Sequence, residues 1–218
     1  MDFILQKLYT LPAIVIAFTL HEWGHAYAAY RMGDPTARNL GRMTLNPLAH
    51  IDPMGFIMLM IAGFGWAKPV PVNPRNYRNY RTGELVVSLA GVTMNLLIAI
   101  VSALIFGAIR KYCNENFLDS GSGGVLQTII FYFVFINLCL LVFNLIPIYP
   151  LDGFHVAEVL LAKHIGPRPF QFLKQYGQFI LIGIIMLGMF GSFSLVGTAA
   201  GFLYTNLMKL VNMLYGIV

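Results

Sequence analysis

His21-Glu22-Trp23-Gly24-His25 closes an apolar run, Leu8-Tyr-Thr-Leu-Pro-Ala-Ile-Val-Ile-Ala-Phe-Thr-Leu20. On a helix, His21 and His25 stand one turn apart on one face, so two imidazoles can bind one Zn²⁺. Glu22 lies beside them, where an acid can take a proton from water activated by the metal. The setting matters as much as the motif, because ionisable side chains at bilayer depth are costly and mark a functional site by default. The bland alternative is a core histidine pair with a capping acid. It would leave a His-Glu-His cluster in lipid without the compensating partner that burial demands. The run therefore predicts a helix from about residue 3 to 31, with Pro12 as a kink point and a metal centre within the membrane.

Composition agrees. Of 218 residues, 58% are hydrophobic and 11% charged. A soluble domain carries about 25% charged residues, so the chain reads as a membrane protein. The net charge of +5 does not point to nucleic acid. Most of the Lys and Arg gather in two loops, as the positive-inside rule expects. Cys139 falls within an apolar helix, so it and Cys113 read as packing residues and not as a disulfide framework. The N-terminus has one weak positive charge, Lys7, and no small-residue cleavage site, so no removable signal is expected. With no repeat or linker, residues 1–218 read as one domain, its core motifs at 3–165 and added C-terminal helices at 172–218.

Gly33-Asp-Pro35 ends the first helix, and residues 36–81 are rich in Pro and Gly, which favours turns and extended chain. Within them, Met54 to Gly65 is apolar but a dozen residues long. A full span needs about 20, so this predicts a re-entrant or interfacial half-helix. Further spans are expected at about 84–109, 125–145, 176–190 and 195–215, giving about five in all. Gly197 and Gly201 form a GxxxG, which can serve a dimer face but whose expected use is helix packing within the chain. Arg31, Arg38, Arg42, Lys68, Arg75, Arg78 and Arg81 place the 31–81 loop in the cytoplasm, and Lys163, Arg168 and Lys174 do the same for the 163–174 loop. Arg110 and Lys111 are offset by Glu115 and Asp119, which places that loop and the N-terminus outside. His21 then lies about 27 Å along its helix, towards the cytoplasmic half.

Catalytic zinc takes three protein ligands and keeps one position for water. Nine acids supply the candidates. Glu22 is reserved as base and Asp2 is at the far end of the same helix. Asp34 and Asp52 precede proline and read as turn residues. Glu84 opens a helix, where the dipole favours an acid. Glu115 and Asp119 are on the outer loop. Asp152 and Glu158 remain, with His155 and His50 as outsiders. Asp152 is favoured because it follows Asn144-Leu-Ile-Pro-Ile-Tyr-Pro150, where two prolines break a membrane helix. Irregular backbone at that depth must be protein-buried or line a wet cavity. One span between them makes the first and third spans parallel, with both polar ends on one side.

These residues resemble the site-2 protease family of intramembrane zinc metalloproteases. The match lies in His21-Glu-Trp-Gly-His25, in Asn144, Pro147, Pro150, Asp152 and Gly153, and in Gly41-Arg-Met-Thr-Leu-Asn-Pro-Leu-Ala-His-Ile-Asp-Pro53 and Lys68-Pro-Val-Pro-Val72, which look like the small bacterial members. The resemblance implies His21, His25 and Asp152 as ligands of one Zn²⁺ per chain, Glu22 as general base and Asn144 as oxyanion partner. Ala90-Gly-Val-Thr-Met-Asn95 resembles the family's Gly-Pro-x-x-Asn helix motif, with Val92 in place of proline and Asn95 beside the site. It also implies a small membrane-associated β element within residues 36–76.

The function expected is hydrolysis of peptide bonds within or near transmembrane segments of membrane proteins, in the cell membrane and towards its cytoplasmic side. Lys68, Val70 and Val72 would form an extended edge for an unwound substrate, since Pro69, Pro71 and Pro74 disfavour helix. The partners expected are a transmembrane protein substrate and the bilayer, with oligomerisation left open. The rival reading is a metal-ion transporter using the same His/Asp cluster. Transporters usually show repeats and polar residues through the full depth, whereas here they cluster near one side.

Overall fold

Pro12 removes one backbone donor, yet the first helix, α1, runs unbroken over Asp2–Met32. The structure is a computed structural model; it describes residues 2–190 and 194–217, and side chains at 5–188 and 194–217. A short α2 (Thr36–Asn39) follows, then α3 (Pro53–Ala62), the expected half-helix. Asp52 caps α3 by accepting from Gly55 N–H at 2.8 Å, with Pro53 at the first position, where a missing donor costs nothing. Gly63, at φ 73°, ends it. Lys7 of α1 donates to the carbonyls of Leu59 and Met60, placing a cation at the negative end of the α3 dipole.

Among the described residues, the expected β element is reduced to one isolated antiparallel bridge, Ile51–Ala67, beside a hydrogen bond from Lys68 N–H to His50 O. The physical reason lies in the chain: Pro69, Pro71 and Pro74 delete the donors that a ladder would need.

α4 (Tyr80–Tyr112) is capped by Asn79, and after a short α5 (Glu115–Leu118) comes α6 (Gly121–Asn144), capped by Ser120. α7 (Asp152–Ile165), α8 (Arg168–Phe190) and α9 (Leu195–Tyr215) complete a nearly all-helical chain. Among the described residues, three helices, α4, α6 and α8 over Arg168–Gly188, are long and apolar enough to cross a membrane.

α4 is central and packs against α1, α6, α7 and α9. Small residues allow the close approaches. A Cβ on Gly24 of α1 would sit 3.1 Å from the Ala90 carbonyl oxygen of α4, and one on Gly107 of α4 would sit 2.4 Å from Val211 of α9. Ala99, Ala103, Val134, Leu138, Ala200, Met208 and Val211 form the apolar core between α4, α6 and α9. The expected packing role of the Gly197/Gly201 pair is not seen. A Cβ on Gly197 would meet only its own cap residue Ser194, and one on Gly201 would meet nothing within 4 Å. α9 instead buries Ala200, Met208 and Val211. Cys113 and Cys139 are free thiols.

Candidate metal centre

α6 stops where Pro147 and Pro150 cannot continue it, and α7 restarts at Asp152. The Tyr149–Pro150 bond is cis. Gly153 lets the new helix press onto the end of the old one, since a Cβ there would lie 2.3 Å from the Leu145 carbonyl oxygen. This turn brings Asp152 against α1. His21 Nε2 and His25 Nε2 are 3.0 Å apart, and Asp152 Oδ2 lies 3.5 Å from the first and 3.4 Å from the second.

Those three edges test whether a metal fits. Ligand bonds of about 2.0–2.1 Å in a tetrahedron require ligand–ligand edges of about 3.3–3.4 Å. The triangle matches within a few tenths of an ångström and leaves the fourth vertex free. Asp152 Oδ2 is buried without a hydrogen-bond partner, which suits an atom reserved for a cation. Both histidines offer Nε2 because Nδ1 is engaged: His21 Nδ1–H donates to Asn95 Oδ1 at 2.7 Å, and His25 Nδ1–H to the Val87 carbonyl at 2.8 Å. Gly91 of α4 makes the space. A Cβ there would lie 2.4 Å from His25 Nε2 and 2.7 Å from His21 Nε2.

The polar support runs deeper than His21. Asn95 Nδ2 donates to Asn137 Oδ1 at 3.0 Å, and Asn137 Nδ2 donates to the Phe133 carbonyl at 2.8 Å. Both asparagines are fully buried. Asn137 escaped the sequence reading, although a lone amide in the apolar stretch Phe131–Phe143 is itself a signal at membrane depth.

Glu22 is buried beside the triangle, and its Oε2 accepts from the Val70 N–H at 2.8 Å. Val70 belongs to a strap that is tied down at its far end. Asp34, fully buried, accepts from Asn73 N–H at 2.6 Å, from Asn76 Nδ2 at 2.8 Å and from Thr36 N–H at 3.1 Å. Burial would raise the Asp34 carboxyl, but the bonds from Asn73, Thr36 and Asn76 hold it below the ordinary carboxylate value. Asp34 is more than a turn residue: it anchors the strap that holds Glu22.

A cavity of about 220 Å³ opens onto these groups and is also lined by Pro69, Val72, Asn144 and His155. Asn144 Nδ2 gives one hydrogen to the Leu140 carbonyl at 3.0 Å, leaving its second hydrogen for the cavity. Of the three residues expected as a substrate edge, Val70 gives its amide to Glu22 and Lys68 gives its own to His50 O, whereas the Val72 amide has no partner among the described residues. The other ligand candidates are engaged by other partners. Glu158 pairs with Lys174 at 2.7 Å, and His50 is buried against the Thr44 carbonyl. His155 pairs with Glu84.

A helical membrane bundle with two histidines, an aspartate and a glutamate gathered at a cavity defines the class of membrane metallopeptidases. Comparison with known proteins gives the family. Residues 118–188 match the model of peptidase family M50. YwhC of Bacillus subtilis, named as a candidate zinc metalloprotease, is 37% identical over 187 residues, 86% of this chain and 84% of its own. Rip2 of Mycolicibacterium smegmatis, named likewise, is 32% identical over 79% of this chain and 64% of its own. The zinc metalloprotease MJ0392 of Methanocaldococcus jannaschii is 24% identical over 70% of this chain and 34% of its own. No solved structure matches. The chain belongs to peptidase family M50, the site-2 protease family, and is a metalloprotease.

Proposed function

We propose that this protein is an intramembrane zinc endopeptidase that cuts peptide bonds within or near transmembrane segments of other membrane proteins. The single observation that carries the reading is the triangle of His21, His25 and Asp152, with edges of 3.0, 3.4 and 3.5 Å, at a cavity that also holds Glu22. α1 and α9 would join α4, α6 and α8 in crossing the bilayer, with the site towards the cytoplasmic end, where the basic loops gather.

His21, His25 and Asp152 would hold one Zn²⁺ per chain; the relatives' names support the metal. When bound, zinc supplies a Lewis acid that acidifies water and polarises a carbonyl. Glu22, steadied by Val70 N–H, takes the proton of the attacking water and passes it to the leaving amine. The free Nδ2 hydrogen of Asn144 meets the developing oxyanion. Val72 N–H, with the carbonyls of Val70 and Val72, pairs with a locally unwound substrate. Val70 N–H does not take part in that pairing, because it serves the base. The transporter reading is not favoured, since the buried Glu22 aimed beside the triangle has no work to do in metal transit.

The test is cleavage of a transmembrane substrate by purified protein, with zinc measured on the same samples. Glu22→Gln lowers turnover by roughly 10²–10⁴-fold, the usual worth of a general base, while zinc stays at the wild-type level. Retained turnover removes Glu22 as the base.

A further inference from the structure

One ionisable pair in the cavity has no part in these steps. Glu84 of α4 is buried, and its Oε1 lies 2.9 Å from His155 Nδ1 of α7. A buried carboxylate must be paired, but its partner is not buried with it. The His155 side chain keeps 33% exposure and lines the same cavity as His21, Glu22 and His25. His155 follows Asp152 by three residues on α7, and residues at that spacing share a helix face. Its Nε2 makes no hydrogen bond among the described residues. The chain thus spends a buried acid to orient an imidazole whose second nitrogen is open to the cavity that holds the candidate base and ligands.

We propose that His155, held by Glu84, is a further catalytic residue: its Nε2–H donates to the oxygen of the scissile carbonyl as charge develops there. This rests on the zinc-peptidase reading. Nδ1 faces the Glu84 carboxylate at 2.9 Å, and in the role proposed the ring bound to substrate holds a proton on each nitrogen, so that Nε2–H is a charge-assisted donor. No covalent bond is made or broken at His155. The role adds to that of Asn144, which has one hydrogen left after Leu140, because each further fixed donor aimed at an oxyanion stabilises it. A link between α4 and α7 alone makes no use of the second ring nitrogen, which stays open to the cavity.

The experiment uses the full-length zinc-loaded protein. Turnover and KM on a transmembrane substrate are measured for wild type, Glu22→Gln, His155→Phe, His155→Gln and Glu84→Gln, together with zinc affinity, thermal midpoint and inhibition by a peptide phosphinate that carries a tetrahedral oxyanion. His155→Phe lowers kcat by about a hundredfold, with KM and zinc affinity changed by less than about threefold. His155→Gln, which keeps a side-chain N–H, recovers about tenfold of that loss, and phosphinate affinity falls in parallel with kcat/KM across the series. A His155→Phe enzyme with wild-type kcat overturns the role. So does a kcat loss that tracks lost zinc or lost thermal stability in both His155 variants, or phosphinate affinity that stays constant. Failure of the peptidase reading shows elsewhere: wild type and Glu22→Gln would then be equally inactive.

Discussion

One stripe along α4 contains two different kinds of membrane interior. Its first half buries Glu84, Ser88, Gly91 and Asn95; its second buries Ala99, Ala103 and Gly107. The spacing is the same i, i+3/i+4 pattern throughout, and α6 flanks both halves. Against the first half lie His21, His25 and Asn137, each hydrogen-bonded. Against the second lie Val134, Leu138, Met208 and Val211, held by contact alone. In lipid, apolar helices gain little from hiding apolar surface from one another, so the second half depends on close packing through small residues. The first half depends on satisfaction: a polar atom there without a partner costs several times what a lost methyl does. Changes in the first half should therefore show in metal binding and turnover, and changes in the second in stability alone.

The largest effect expected at the polar end is on the metal. Asp152→Ala should weaken zinc binding by more than the roughly 10–100-fold that an outer hydrogen-bond partner is worth, while Glu158→Ala leaves it unchanged. Competition against a chelator reads this directly, and equal affinities in wild type and Asp152→Ala would remove Asp152 from the ligand set. Asn137→Leu comes next. It deprives Asn95 of its acceptor, frees Asn95 to turn away from His21, and should cost about 10–100-fold in zinc affinity. Restored affinity in Asn137→Gln would identify the lost hydrogen bond, not lost packing, as the cause. No change in Asn137→Leu would mean that Asn95 holds His21 unaided.

Val134→Ala tests the apolar end. Removing two methyl groups between α4, α6 and α9 should cost roughly 1–2 kcal/mol of stability through lost packing. A lower thermal midpoint with unchanged zinc affinity keeps the two halves distinct, whereas a zinc defect would couple them. The smallest effect concerns the strap. The Asp34 carboxyl is held below its ordinary value despite burial, and that of an unfolded chain is about 3.9. A depressed acid contributes stability that is present above the unfolded value and is lost as pH falls through the folded one. Wild type should therefore lose thermal stability more steeply below about pH 4 than Asp34→Asn does. Identical slopes would show that Asp34 does not clamp the strap through its charge.

Much of this was readable from the residues in order. An apolar run ending in His21-Glu-Trp-Gly-His25 requires a helix with both imidazoles on one face, because the helical period is fixed. Pro147 and Pro150 require a break, and a break at membrane depth must be protein-buried or line a wet cavity. The acid at Asp52 before Pro53 reads as a turn residue, and the structure makes it the cap of α3. The expected β element is represented among the described residues by the single bridge Ile51–Ala67, and no other helix of the chain packs on Gly197 or Gly201. Both depend on what a neighbouring segment offers, and a local pattern says nothing of that.

What the sequence by itself determined is therefore local: which segments are helical, which are apolar, and which side chains could bind a metal or move a proton. The tertiary structure decided the pairings. His21 finds Asn95 across 74 positions, Glu22 finds Val70 across 48, and Glu84 finds His155 across 71. Periodicity fixes where a side chain points relative to its own helix axis. Only helix packing fixes what it meets there, and at membrane depth, with no water to take up an unmet bond, that meeting determines whether a polar residue can be used.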